Sequence, residues 1–198
     1  PFVVDNTVNH YGYVGEMGFL SIADTGFDFK YSLIDWEKRG RNRYGLRNPM
    51  GTRFLNSQFL TAYNVPSDVF GKKMKLYGAY LINSKAKPNH WTHNKRENEA
   101  FYVGMTMGEL RKKGDWSFDL FYQWVQAQAI PENDTQDIGR DNPRKISFYN
   151  RRSGGFANFK GWRWEGFYAL TDNWTLHPTI DNAQQLSKTI GGTHTNNE

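Results

Sequence analysis

Apolar and polar side chains alternate along the segment Asp115–Gln126, which reads "DWSFDLFYQWVQ". Every second residue from Trp116 to Trp124 is apolar and most are aromatic, whereas the residues between them include Ser117 and Asp119. A period of two is typical of a β-strand, because successive side chains of a strand point to opposite faces of its sheet. The segment is therefore predicted to be a strand with one aromatic face and one largely polar face.

The same alternation recurs along most of the chain, and a helical period is hard to find. We predict an all-β fold with eight strands, at Val8–Ile22, Phe27–Lys38, Arg53–Asn64, Lys72–Asn83, Glu99–Leu110, Asp115–Gln126, Asn158–Leu170 and Trp174–Leu186. Pro178 lies inside the last of these. Because proline has no backbone N–H to donate to a neighbouring strand, a β-bulge is predicted there.

The links between the predicted strands alternate in length. The short links are rich in turn-forming residues and lie at Ala23–Gly26, Val65–Gly71, Arg111–Asp115 and Thr171–Asn173. The longer, polar links lie at Arg39–Thr52, Ser84–Asn98 and Ala129–Ala157. In an antiparallel meander this order puts all short turns at one end and all long loops at the other, as in outer-membrane barrels. We therefore predict an antiparallel up-and-down transmembrane β-barrel.

The composition is consistent with such a barrel and excludes several other classes. The 198 residues suit one domain and contain only 38% hydrophobic residues, yet 16% are aromatic. The mean hydropathy of −0.77 and the lack of a long apolar run exclude a transmembrane helix, which needs roughly 20 consecutive apolar residues. The chain has no cysteine, which excludes disulfides and thiolate metal sites. The net charge of +5 comes from basic residues that fall mostly between the strands, so no nucleic-acid partner is predicted.

Two environments remain open for the aromatic faces. A soluble β-sandwich with one buried face would give the same alternation. Lipid is favoured because successive large rings, such as Trp162 and Trp164, lack the mixture of sizes that fills a packed core. Trp116 and Trp174 also directly follow turns, where the aromatic girdle of a barrel lies.

The parity of each strand divides its residues between two predicted sets. The lipid-facing set is Phe29, Tyr31, Leu76, Tyr80, Val103, Met105, Trp116, Phe118, Leu120, Tyr122, Trp124, Trp162, Trp164, Tyr168, Trp174 and Leu176. The pore-lining set is Glu16, Asp28, Lys30, Lys75, Asp119, Arg163, Glu165 and His177. Four acids against three bases give no strong preference for either sign of charge. The basic loop segments Gly40–Arg47 and Arg151–Arg152 would favour anions.

The stretches "KKGDWSFDLFYQWVQAQA" and "GGFANFKGWRWEGFYALTDNWTL" resemble the C-terminal part of a family of large Gram-negative outer-membrane porins. The resemblance is clearest over Lys112–Leu176. It implies an outer-membrane barrel for passive diffusion of small hydrophilic solutes, with no catalytic residues and no cofactor. The closing strand of that family is missing here, and by our count both chain ends would lie at the long-loop end. The chain is therefore predicted to be part of a larger barrel.

Other groups of polar residues do not predict a catalytic or metal site. His90 and His93 lack a third ligand at a convincing spacing and are expected to be loop residues. The spacing of Asp134, Asp137 and Asp141 does not match a calcium loop, and a weak divalent-ion site there is the minor alternative. No metal site and no enzymatic activity are predicted.

The predicted function is an outer-membrane porin for small hydrophilic solutes and ions. The predicted partners are outer-membrane lipid and lipopolysaccharide, with a homotrimer and other envelope proteins as further candidates. Two alternatives stay open. One is a soluble all-β module that binds carbohydrate on its tryptophan rings, and the other is a barrel that anchors envelope layers without conducting.

Overall fold

The structure, a computed structural model, describes residues 2–3, 10–38, 53–89, 92–130, 157–187 and 190. Within these ranges the chain forms ten strands and a one-turn 3-10 helix at Ile22–Asp24. The strands are β1 (Phe2–Val3), β2 (His10–Phe19), β3 (Phe27–Lys38), β4 (Phe54–Asn64), β5 (Met74–Asn83), β6 (Glu99–Gly108), β7 (Trp116–Val125), β8 (Phe159–Ala169), β9 (Thr175–Leu176) and β10 (Thr179–Gln185). No helix in the described part of the chain is long and apolar enough to cross a membrane.

The strands form one antiparallel up-and-down sheet. Each described strand from β1 to β8 pairs with the next one along the chain, and β8 pairs with both β9 and β10. This confirms the predicted all-β meander. Within the described ranges β1 and β10 do not pair with each other, so the sheet is open. The turns after β2, β4, β6 and β8 lie at one end of the sheet, called the short-turn end below. The longer links lie at the other end, called the long-loop end.

The predicted strands agree with the observed ones to within a few residues, with two differences. β1 was missed, because two residues are too few to show an alternation. The predicted bulge at Pro178 is wrong. Leu176 pairs with Tyr168 and Thr179 pairs with Glu165, so both strands advance by three residues across the proline and no extra residue is inserted.

The ladder at Pro178 loses one hydrogen bond but keeps its register. The backbone N–H of Gly166 donates to the Pro178 carbonyl at 2.9 Å, while proline has no N–H to return. Register is therefore maintained by the pairing on either side, and the predicted eighth strand is divided into β9 and β10.

The strands are staggered along the sheet. A row of paired residues runs from Met17 on β2 to Lys160 on β8 in six steps. Met17 lies two residues from Phe19, the last residue of β2 at the short-turn end. Lys160 lies nine residues from Ala169, the last residue of β8 at the same end of the sheet. The row therefore gains seven residues, from two to nine, over six steps. With about 3.3 Å per residue and about 4.8 Å between strands, this stagger corresponds to a strand tilt of about 35–40°.

The tightest packing lies near the long-loop end, on one face of the sheet. Leu81, Ala100, Val125 and Phe159 form a buried cluster there with Ala129 and Ala157, which belong to the link after β7. Their register places the four strand residues in one row across β5 to β8. The link after β7 therefore packs against the sheet instead of extending straight away from it.

Candidate functional site

The strand register gives the sheet two chemically different faces. The eight residues predicted to line a pore all lie on one of them, called the polar face here. Asp119 pairs with Thr106 and Glu165, for example, and Thr106 pairs with Lys75. Side chains that are paired across an antiparallel ladder share a face. Parity along each strand therefore brings Glu16, Asp28, Lys30, Lys75, Asp119, Arg163 and Glu165 to this face, and His177 follows the same parity in the link between β9 and β10.

The sixteen residues predicted to face lipid share the opposite, aromatic face by the same register and parity. One row joins Phe29 to Trp162 across β3 to β8, and the next joins Tyr31 to Trp124. Trp174 lies just before β9, outside the strands. Ring contacts on this face run along or between adjacent strands, as with Phe101 and Trp124, whose centroids are 5.5 Å apart.

Many side chains of the aromatic face are exposed. The exposed fraction is 63% for Met17, 53% for Val103, 54% for Leu176 and 73% for Trp174. The described residues form a single sheet, and the substantial contacts between their strands join only sheet neighbours. Within the described part of the chain, no second sheet therefore covers the aromatic face.

Charges near the first hairpin of the polar face are paired. Lys30 Nζ lies 3.0 Å from a carboxylate oxygen of Glu16, and the Ser32 hydroxyl donates to the other oxygen at 3.0 Å. Asp28 accepts hydrogen bonds from the backbone N–H of Ser21 at 2.8 Å and from the Asn64 side chain at 3.2 Å. The carboxylates of Glu16 and Asp28 therefore both have hydrogen-bond donors within reach.

A second charged group lies across β8 and β10. Arg163 Nε is 2.6 Å from a Glu165 oxygen, and Arg163 Nη1 is 4.0 Å from Asp181. His177 Nε2 lies 3.9 Å from the second Glu165 oxygen, and its ring stacks on Phe167 with centroids 4.1 Å apart. One guanidinium thus lies between carboxylates of two strands and offsets part of their negative charge, which weakens the net field above this part of the sheet.

Tyr77 connects β5 to β7 across the polar face. Its hydroxyl donates a hydrogen bond to the Asp119 carboxylate, although β6 lies between the two strands. The tyrosine crosses β6 at Gly104, where a Cβ would lie 2.6 Å from the Tyr77 hydroxyl. Only glycine leaves room for this crossing, so Gly104 is needed for the Tyr77–Asp119 contact.

A cavity of about 440 Å³ lies in the middle of the polar face. Small side chains form its floor at Ala79 and Ala100, and large rings border it at Tyr77, Tyr102 and Phe121. Further lining side chains include Ile34, Gln58, Leu81, Asp119, Gln123, Val125 and Ile130. The cavity is therefore a mixed surface of rings, aliphatic groups and amides, with Asp119 as its one carboxylate.

A buried amide, Asn83, organises the long-loop end of the polar face. Asn83 is fully buried, and its side-chain oxygen accepts the backbone N–H groups of Leu55 at 3.0 Å and Lys85 at 3.1 Å. Its side-chain nitrogen donates to the carbonyls of Arg53 at 2.9 Å and Gln128 at 2.7 Å. All the hydrogen-bonding capacity of this amide is thus used, and three of its four partners are distant in sequence.

Gln128 extends the same network into the link after β7. Its side chain donates to the Lys87 carbonyl at 2.9 Å and accepts the Glu97 backbone N–H at 3.3 Å. Ala127 and Ala129 on either side are fully buried, and Ile130 reaches the cavity. The segment 126–130 therefore lies across the polar face and narrows the space above the sheet. Sequence reasoning did not predict this arrangement, although small residues around one glutamine were a signal for it.

Two carboxyl groups outside the strands have shifted pKa values. Asp115, in the turn before β7, accepts the backbone N–H groups of Arg111 and Lys112, both at 2.9 Å. These hydrogen bonds hold the pKa of Asp115 below its usual range. Burial raises the pKa of Glu97, an effect opposed by the positive charge of Lys95. The Asp115 hydrogen bonds close the turn at the short-turn end, and Glu97 lies beside the buried network at the other end.

Several residues considered from the sequence lie outside the described ranges. These are His90, Asp134, Asp137, Asp141 and the basic segments Gly40–Arg47 and Arg151–Arg152. Among the described residues, no three His, Cys, Asp or Glu side chains come together as a metal site.

Comparison with known proteins identified no relative. No protein-family model, no curated protein and no solved structure matches the chain. The resemblance to outer-membrane porins thus stays a prediction from the sequence motifs.

Proposed function

We propose that the chain forms part of an outer-membrane β-barrel that lets small hydrophilic solutes and ions diffuse through its lumen. The observation that carries this proposal is the aromatic face. Each strand from β2 to β10 carries at least one exposed large apolar side chain on this face, and no second sheet covers the face within the described residues. Exposed apolar surface of this extent needs an apolar neighbour, and lipid would supply one around the full circumference of a barrel.

The dimensions of the sheet support the same proposal. The apolar residues of β7 run from Trp116 to Trp124, which corresponds to about 26 Å along the strand. At a tilt of about 35–40° this length covers about 20 Å across the bilayer, close to the apolar band of about 25 Å on membrane barrels. The tilt inferred from the stagger also lies within the range of about 35–45° found in such barrels.

The polar face would then line the lumen, and its charges set the expected selectivity. Lys30 is paired with Glu16, and Arg163 is paired with Glu165. Paired charges leave a weak field, so we expect a weakly ion-selective pore instead of a filter for one ion. An eight-stranded barrel is filled by side chains, whereas about 16–18 strands leave an aqueous channel. The proposal therefore includes further strands that close the barrel beyond β1 and β10.

Electrical recording from the full-length protein in planar phospholipid bilayers tests this proposal. Stepwise ionic current with weak selectivity is expected. Lys75→Glu, on the polar face, should shift the reversal potential in a salt gradient towards cation selectivity. Lys113→Glu makes the same charge change in an exposed turn and should shift it less. Lack of current from correctly inserted protein would refute the transport role.

A further inference from the structure

The cavity on the polar face has the chemistry of a binding site for a sugar. We propose that it holds an uncharged polyhydroxylated solute of monosaccharide to disaccharide size. This inference rests on the proposed function, because the solute would be one that passes along the polar face. A volume of about 440 Å³ is within the range of about 300–1,000 Å³ for small-molecule sites.

Unused hydrogen-bonding groups surround the cavity. Among the residues that the structure describes, the side chains of Gln58, Gln123 and Tyr102 border the space and make no hydrogen bond. Each amide offers both donors and an acceptor, and the tyrosine hydroxyl offers one donor and an acceptor. Sugar hydroxyls also donate and accept, so they match this set better than a group that only donates or only accepts.

A buried amide without a hydrogen-bond partner lies next to the cavity. Asn56 lies two residues before Gln58 on the same face of β4, and it pairs with Ile34, which lines the cavity. Asn56 is fully buried, and neither its side-chain oxygen nor its side-chain nitrogen has a hydrogen-bond partner. A buried polar group without a partner is costly, so Asn56 destabilises the wall beside the cavity, but its enclosed amide adds no contact to the site itself.

The rings and the charge of the lining define the solute further. Tyr77 and Tyr102 meet edge to face with centroids 6.0 Å apart, and Phe121 borders the space beyond Gly104. Aromatic faces favour the C–H side of a sugar ring, as they favour other apolar surfaces. Asp119 is the one acidic side chain among the lining residues, and no basic side chain lines the cavity, which disfavours an anion. Asp119 already accepts the Tyr77 hydroxyl, and an ammonium ion would leave the amide donors unused.

Binding to the full-length protein in detergent micelles tests the inference directly. Glucose, glucosamine and gluconate share a size and differ in charge, and maltose represents the larger end of the class. Saturation-transfer NMR and equilibrium dialysis should show binding of glucose and maltose. Glucosamine should bind more weakly, and gluconate should not compete. Preference for glucosamine would indicate a cation site, preference for gluconate would indicate an anion site, and either would overturn the proposal.

Matched variants separate the cavity from the rest of the polar surface. Gln123→Leu should weaken glucose binding about two- to tenfold, the loss expected when one net hydrogen bond is removed. Gln184→Leu makes the same change on the aromatic side of β10 and should leave binding unchanged. Ala79→Leu fills the cavity floor and should abolish binding, with circular dichroism confirming the fold. Equal binding by all three variants would overturn the proposal.

The same proteins in planar bilayers distinguish the two proposals. Current without glucose binding would leave the diffusion pore standing and remove the sugar site. Glucose binding that Gln123→Leu weakens, without any current, would support the site and remove the transport role.

Discussion

Placing an arginine at Leu120 tests whether the aromatic face meets hydrocarbon. Leu120 is the central member of the five apolar residues from Trp116 to Trp124 on β7, and its register neighbours are Met105 and Trp164. On the proposed barrel it lies near the middle of the bilayer. An arginine at that depth costs about 2–4 kcal/mol, whereas near the interface it costs about 0–1 kcal/mol.

The magnitude separates lipid from water as the neighbour of this face. A substitution on a water-exposed strand surface usually changes stability by no more than about 0.5 kcal/mol. We therefore expect Leu120→Arg to lower the free energy of unfolding by about 2–4 kcal/mol relative to Leu120→Ala. That difference corresponds to roughly 30- to 1,000-fold in the unfolding equilibrium constant. The alanine reference removes the contribution of the lost leucine side chain.

Urea unfolding from phospholipid vesicles, followed by tryptophan emission, measures the effect. Gln123→Arg places the same charge on the polar face of the same strand and should cost less than about 1 kcal/mol. Tyr168 lies at the short-turn end of the aromatic face, so Tyr168→Arg should lower the free energy of unfolding by less than Leu120→Arg does. If Leu120→Arg and Gln123→Arg destabilise the protein equally, the aromatic face does not meet lipid and the barrel proposal is wrong.

Three further predictions concern the polar network, a glycine and a turn. Asn83→Ala should lower the free energy of unfolding by about 2–5 kcal/mol, because several buried groups each lose a partner at about 1–3 kcal/mol. Urea unfolding measures this loss of stability. A loss below about 1 kcal/mol would contradict the role of the network. Gly104→Ala should cost about 1–3 kcal/mol, because its Cβ would lie 2.6 Å from both the ring carbon Cζ and the hydroxyl of Tyr77. A Tyr77→Ala background removes both atoms and should reduce this cost. An unchanged melting temperature in Gly104→Ala would refute the crossing. Asp115 has a lowered pKa in the folded state, so its stabilisation should be fully present above the unfolded pKa of about 3.9 and be lost as the pH falls through the folded pKa. Asp115→Asn should flatten that part of the stability–pH curve, and an identical curve for both proteins would exclude Asp115 as its source.

The strands could be predicted because one face of each is chemically unlike the other. On β3 the bounds Phe27–Lys38 agree with the structure at both ends, since turn residues before Phe27 end the alternation sharply. β1 could not be found, because its two residues carry no period. The sequence predicted an interruption of the strand at Pro178 but gave the wrong type, a β-bulge. The missing N–H of proline removes one hydrogen bond without shifting the register.

The sequence predicted which residues share the polar face, but it did not predict how they are positioned relative to one another. Parity alone placed Asp119 and Glu165 on one face, yet only the register puts them opposite each other. The cavity depends on Ala79 and Ala100 lying on adjacent strands, which sequence periodicity does not specify. The Asn83 network was missed because a side chain that bonds to distant backbone leaves no periodic signal.

The meander has a consequence for how the lumen of the proposed barrel would change in width during evolution. On the polar face of the described strands, ion pairs are formed within one hairpin, as for Lys30 and Glu16, or within one strand, as for Arg163 and Glu165. A duplicated hairpin would therefore bring its own neutralised charges and interrupt only one existing ladder. Because the diameter of a closed barrel grows roughly in proportion to its strand number, repeated duplication would widen the passage in steps while each older wall segment kept its electrostatic balance.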